Sequence, residues 1–233
     1  MKRFYKDVAI APADGGYAVL LDGKPVKTPG RNDLRLPTEH LAQAVAAEWR
    51  GQGDTIQAPS MPLLRLSNTV IDGVASNRTR VIDAVLRFGE NDLICYRAHQ
   101  PPDLHARQRE GWDPMLDWAR QRLGAGLRVA DGLGHVEQPP DALAALREAM
   151  HFYDAFTLGG LHVIASITGS LVLGLAVVEG HIPPARAFEL SRIDETYQAE
   201  KWGEDAEAAK RAALLAQEMD KAAQLIGAVR ATA

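Results

Sequence analysis

The sequence predicts an α+β protein, with a small β-rich N-terminal domain over residues 1–55 and a larger, mainly α-helical C-terminal domain over 56–233. Three observations predict it. Asp22-Gly23 lies between two apolar runs near the start, and this dipeptide between such runs marks a tight hairpin because the turn needs positive φ. Beyond Asn68 the apolar residues recur at helical spacing, and several segments open on a proline, whose missing N–H costs nothing in the first helical turn. Ala155 to Val178 contains no Asp, Glu, Lys or Arg, as expected of a helix buried on all sides.

The elements follow in order. Tyr17–Leu21 and Lys24–Thr28 are the strands of the hairpin, Phe4–Ile10 a third strand, and Asp33–Leu36 a fourth beyond the turn Thr28-Pro29-Gly30. Thr38 caps a helix whose Leu41, Val45 and Trp49 lie four apart and which Gly51 stops. Gly53–Pro62 is polar and proline-marked, and reads as the connection between domains. Helices are then expected over Asn77–Phe88, Pro102–Leu123, Pro140–Met150, Ala155–Val178, Pro184–Lys201 and Asp205–Val229. A second hairpin is expected around Asp131-Gly132. In the last helix Ala208, Ala212, Leu215, Met219, Ala222 and Ile226 form one stripe for packing.

Composition excludes several classes. The chain has 233 residues, 46% of them apolar and 24% charged, which suits a folded globular protein. A net charge of -4 argues against a nucleic-acid partner, which asks for a basic face. The single cysteine, Cys95, leaves no internal disulfide and no cysteine zinc cluster. Met1–Tyr5 runs into strand-like sequence without an apolar leader, so a bacterial cytoplasm is expected. Ala155–Val178 is long enough to span a bilayer, but Thr157, His162, Ser166, Thr168, Ser170 and several glycines interrupt it, and acidic residues flank it. Stable membrane insertion is therefore not expected. Ser166, Ser170 and Gly174 would form a small-residue stripe, and His162 a hydrogen-bonded core histidine.

Motifs for chemistry are sparse. Gly132-Leu133-Gly134 lacks the third glycine of a dinucleotide loop. The histidines are scattered without metal-ligand spacing, and no serine or cysteine has a base beside it, so neither metal nor cofactor is expected. Glu90, Asn91 and Asp92 precede the apolar run at Cys95, with Arg97 behind it paired to a carboxylate. Trp112, Met115 and Leu116 read as core, while Trp118 is open to a partner.

The densest chemistry lies at DETYQAEKWGEDAE, residues 194–207. Asp194, Glu195, Glu200, Glu204, Asp205 and Glu207 surround one base, Lys201, at a Trp202-Gly203 break. Carboxylates beside a large aromatic suit docking of a basic or amide-rich surface; negative charge at the start of the last helix is also favourable by about 0.3–1 kcal/mol per residue through the helix dipole. The residues alone leave recognition and plain solvated surface open.

Several stretches together resemble the assembly chaperones of the alpha subunit of the ATP synthase F-one sector: GGYAVLLDGKPVKTPGRNDLRLPT (Gly15 to Thr38), AAEWRGQGDTI (Ala46 to Ile56), MPLLRLSNTVID (Met61 to Asp72), ENDLICYRA (Glu90 to Ala98), WDPMLDWA (Trp112 to Ala119) and YQAEKWGED (Tyr197 to Asp205). The resemblance covers nearly the whole chain in order. It implies the two-part fold, no catalysis and no cofactor. It also implies binding of the unassembled alpha subunit and shielding of the surface destined for the beta subunit; the protein is expected to be a monomer. A sensitive acidic residue near the WG pair is implied too, at Glu204 first, then Glu207 or Asp194. Trp202, Gly203, Glu204, Glu207, Asp194 and Gln198 are thus the candidate partner-binding residues. Lacking the leader and long tail of mitochondrial members, the chain is expected to be a bacterial homologue. The rival readings are a small-molecule enzyme using a carboxylate pair, either Glu90/Asp92 or two of the 194–207 group, and a membrane-anchored protein.

Overall fold

The computed structural model describes residues 1–132 and 134–230. The architecture is α+β, and the chain divides into two compact units. One comprises Met1–Arg78, Asp154–Gly160 and the chain from Lys221; the other comprises Thr79–Tyr153 and Leu161–Asp220.

The first unit is built on an antiparallel sheet. Strand β1 (Val8–Ala13) pairs with β2 (Gly16–Leu21) from Val8↔Leu21 to Ala13↔Gly16, around Asp14-Gly15. The expected Asp22-Gly23 turn joins β2 to β3 (Lys24–Pro25), with φ of 47° and 78° at its two central residues. Strand β4 (Arg35–Leu36) pairs with β2 on the same edge as β3, away from β1. The expected strand at Phe4–Ile10 begins instead at Val8, because Lys6 and Asp7 spend their N–H groups on the Asp22 carboxylate, at 2.9 and 2.8 Å.

Helix α1 (Glu39–Arg50) starts where the Thr38 hydroxyl accepts from the Leu41 N–H at 3.2 Å, and buries Leu41, Ala42, Val45, Ala46 and Trp49. Helix α2 (Pro62–Thr69) is absent from the expected helices, the first of which in this region begins at Asn77. Its first residues have no capping side chain of their own. The Glu48 carboxylate of α1 accepts from Leu63 and Leu64 N–H, both at 2.8 Å, and replaces the missing cap. Asp72 ties down the turn at 28–32, accepting from Thr28 Oγ1, the Gly30 N–H and Asn32 Nδ2.

The second unit is helical, with α3 (Arg78–Glu90) entering it, then α4 (Pro102–Trp118) and α5 (Pro140–His151). A short parallel pair joins β5 (Tyr96–Arg97) to β6 (Ala130–Asp131). Among the described residues no hairpin forms at Asp131-Gly132: Ala130 and Asp131 pair with Tyr96 and Arg97, far away in sequence. Leu133 of the same motif lies outside the described residues. The core of α4 is Trp112, whose indole N–H donates to Leu190 O at 2.8 Å, and Arg97 meets Asp113 at 2.8 Å as expected.

Ala155–Val178 is not one helix. It divides into α6 (Ala155–Thr168) and α7 (Leu171–Val178). Gly169 turns the chain at φ 66°, where a side chain would be strained, and the Ser170 hydroxyl accepts from the Leu173 N–H to cap α7. Burial holds for α7, where Leu171–Ala176 are all shut away from solvent. On α6, His162 and Ser166 are exposed. The ring of His162 meets Phe88 edge-on instead of lying in a core, and the expected stripe through Ser166 and Gly174 is interrupted by the break. Among the described residues no helix is long and apolar enough to cross a membrane.

Pro184–Lys201 likewise divides, at Arg192 (φ -116°), into α8 (Pro184–Ser191) and α9 (Ile193–Trp202). The last helix, α10 (Ala206–Arg230), buries Met219, Ala222 and Ile226 but not the first part of the expected stripe: Ala208 is exposed, and Ala212 and Leu215 are half-buried.

Candidate partner-binding surface

The 194–207 stretch occupies the end of α9, a turn and the start of α10. Gly203 stops α9 at φ 94°, ψ 155°, a conformation that an L side chain rarely adopts, while its N–H still closes on Ala199 O at 2.9 Å. Asp205 then caps α10, its carboxylate accepting from the Glu207 N–H at 2.8 Å and the Ala208 N–H at 3.2 Å. The like-charge column through Glu200, Glu204 and Glu207 that a continuous helix would create is thereby avoided.

One face of α9 is fixed to α4. Tyr197 is buried, and its hydroxyl donates to Asp103 at 2.8 Å; Lys201 reaches the same carboxylate at 3.3 Å. The Tyr197 hydroxyl first, and Lys201 after it, hold the Asp103 carboxyl below the usual carboxylate range. Arg107 pairs with Glu200 at 2.6 Å. Asp194 is half-buried and accepts from Gln108 Nε2 at 2.6 Å; Gln108, itself buried, also accepts from the Ala98 N–H.

The other face is open. Trp202 is 79% exposed, on a groove of about 520 Å³ lined among others by Phe188, Glu195, Gln198, Trp202, Glu204 and Ala208. Gly203 forms the turn between α9 and α10, Asp194 is held by Gln108, and Gln198 and Trp202 line the groove. Glu195 is matched by Arg192 at 3.3 Å and Glu189 by Arg186 at 3.1 Å. The carboxylates of Glu204 and Glu207 have no hydrogen bond or salt bridge among the described residues. The six carboxylates thus separate: Asp194, Glu195, Glu200 and Asp205 serve the protein's own structure, and Glu204 and Glu207 face solvent. Sequence reading missed Phe188, which lines the groove, and Leu214, which is 58% exposed on α10 outside the groove's lining. The Leu214-Leu215 doublet was the available signal, since adjacent positions on a helix cannot share one buried face.

The carboxylate pair offered for catalysis is not arranged for it. Glu90 is exposed, whereas Asp92 is wholly buried and accepts from the Val172 N–H at 3.0 Å and the Ile94 N–H at 3.3 Å, so it holds the start of α7. Burial raises its carboxyl to about 6. Burial also pushes the Cys95 thiol up, away from a reactive thiolate. Trp118 is half-buried and stacks on His181, centroids 5.0 Å apart. Among the described residues no group of three or more His, Cys, Asp or Glu is placed to hold a metal.

Comparison with known proteins agrees over most of the chain. The sequence model of the ATP12 chaperone protein family matches residues 2–120. Mitochondrial protein atp12 of Schizosaccharomyces pombe is 24% identical over 215 residues, covering 87% of this chain and 74% of its own length. The crystal structure of Atp12 from Paracoccus denitrificans superposes with a TM-score of 0.95 at 43% identity, over 98% of both chains. The Atu1473 protein of Agrobacterium tumefaciens gives 0.95 at 42%, over 98% of this chain and 86% of its own. With the family's sequence pattern over its first half and a relative of 43% identity along nearly its whole length, the chain belongs to the ATP12 chaperone family.

Proposed function

We propose that this protein is an ATP synthase assembly chaperone that binds the unassembled alpha subunit of the catalytic head and prevents its aggregation until the beta subunit joins. It works as a monomer in the bacterial cytoplasm, without catalysis, cofactor, nucleic acid or membrane insertion. The observation that carries the client site is Trp202, a large indole left 79% exposed over a groove lined by the unmatched carboxylate of Glu204, with the exposed Glu207 three residues on. An orphan subunit of an obligate assembly exposes apolar surface on the order of thousands of Å², and such a surface aggregates. A chaperone must cover it and then yield it. An aromatic anchor supplies affinity, while a charged rim accelerates encounter more than it deepens binding.

The test is co-expression with an ATP synthase alpha subunit, followed by pull-down and a solubility assay. Trp202→Ala should weaken capture by about 30-fold, the equivalent of 2 kcal/mol for an interface anchor. Glu204→Lys should weaken it less, by reversing a rim charge. Both residues are exposed, so both variants should melt with the parent. Full capture by two well-folded variants would move the client site elsewhere on the chain.

A further inference from the structure

The first unit carries its own concavity, about 530 Å³, lined among others by Phe4, Tyr5, Lys24, Trp49, Leu64 and Asn68. Phe4, Tyr5 and Trp49 form an edge-to-face ladder with centroids 5.4 Å apart at each step. Its two inner rings are buried, while Phe4 is 62% exposed and adds an apolar face to the rim. Two polar atoms of lining residues are shut off from solvent and have no hydrogen-bond partner among the described residues: the indole N–H of Trp49, a side chain only 8% exposed, and Oδ1 of Asn68. Buried polar groups are almost always paired, so one lone donor and one lone acceptor at the same cavity call for a reason.

The rim carries both signs, with Asp22 against Lys24, Lys27 and Met1. The Asp22 carboxylate is occupied by the Lys6 and Asp7 N–H groups, which hold it below the usual carboxylate range. Lys27 pairs with Asp33 at 3.2 Å. Lys24 forms no salt bridge among the described residues and stands exposed on β3. An aromatic cup with the exposed Lys24 ammonium at its edge complements an apolar group next to a negative charge.

We propose that this cup is a second client contact, taking an extended peptide segment that presents a large apolar side chain beside an acidic residue. The side chain packs on Phe4 and against the ladder, and the neighbouring carboxylate meets Lys24. The inference rests on the chaperone reading above, and places a contact of opposite charge from the acidic groove on the same chain.

The experiment uses the full chain co-expressed with the alpha subunit, carrying the photo-crosslinker p-benzoylphenylalanine in place of Phe4 or, separately, of Trp202. Labelling of the alpha subunit from position 4 is expected, with its yield falling at least threefold when Lys24→Glu is added and the melting temperature unchanged. Labelling from position 202 with none from position 4 would overturn this contact alone. Failure of the unmodified chain to capture the alpha subunit would overturn both this contact and the reading it rests on. Labelling from position 4 that is indifferent to Lys24→Glu would overturn the acidic character of the segment.

Discussion

Asp92 shows how one residue can be decisive without touching a partner. It is a fully buried carboxylate whose bonds go to backbone N–H groups at the start of α7 and at Ile94. Asp92→Ala should destabilise the protein by about 2–4 kcal/mol, because buried donors lose a charged acceptor. Its acidity has a sign that can be tested. Burial raises the folded-state value from 3.8 to about 6, so the folded protein holds the proton more tightly than the unfolded chain does. Stability from this group is fully present below about 4 and is lost as pH rises to about 6, by up to roughly 3 kcal/mol at 1.36 kcal/mol per unit. Urea midpoints at pH 4.5 and 7 should show Asp92→Asn gaining on the parent by that order over the interval. Parallel pH curves for the two proteins would refute the assignment. Sequence reading saw Asp92 only as a possible member of a catalytic pair, since nothing local reveals that its oxygens meet residues of α7, some eighty positions on.

At the scale of elements, the legible features were those with local causes. The Asp22-Gly23 turn, the Thr38 cap and the Leu41–Val45–Trp49 face are dictated by neighbours in sequence, and each is present. Asp14-Gly15, the same dipeptide, joins β1 to β2, and it reads as a turn only once β1 runs from Val8 to Ala13 instead of ending at Ile10. The divide between α6 and α7 was written in Thr168-Gly169-Ser170, a stop glycine followed by a capping serine, but an unbroken apolar composition masked it. Gly169→Ala should lower stability by about 1 kcal/mol through its positive φ alone, since a methyl there meets Leu93 at an ordinary 3.6 Å. An unchanged melting temperature would mean that the chain does not turn there. The divide at Arg192 has no such signature: no glycine or proline marks it, and it depends on Leu190 and Ile193 packing beside Gly111 of α4.

For the whole molecule, stability should be unevenly distributed. Leu171–Ala176 is fully buried, whereas residues 201–208 are exposed throughout. Hydrogen exchange should therefore be slowest in α7 and fast across the α9–α10 turn, and a reversed order would contradict the burial pattern. The candidate partner-binding surface was legible as composition but not as geometry. Counting carboxylates gave no way to know that Asp194 is committed to Gln108 and Asp205 to the α10 cap, while Glu204 remains free. The exposure of Trp202 has a further use. The protein has four tryptophans; Trp49 and Trp112 are buried and Trp118 is half-covered. Trp202 should therefore dominate the red edge of the intrinsic emission and be the first quenched by iodide. If a client settles on the groove, that emission should shift to the blue and lose its iodide sensitivity, so the protein carries its own optical reporter of occupancy.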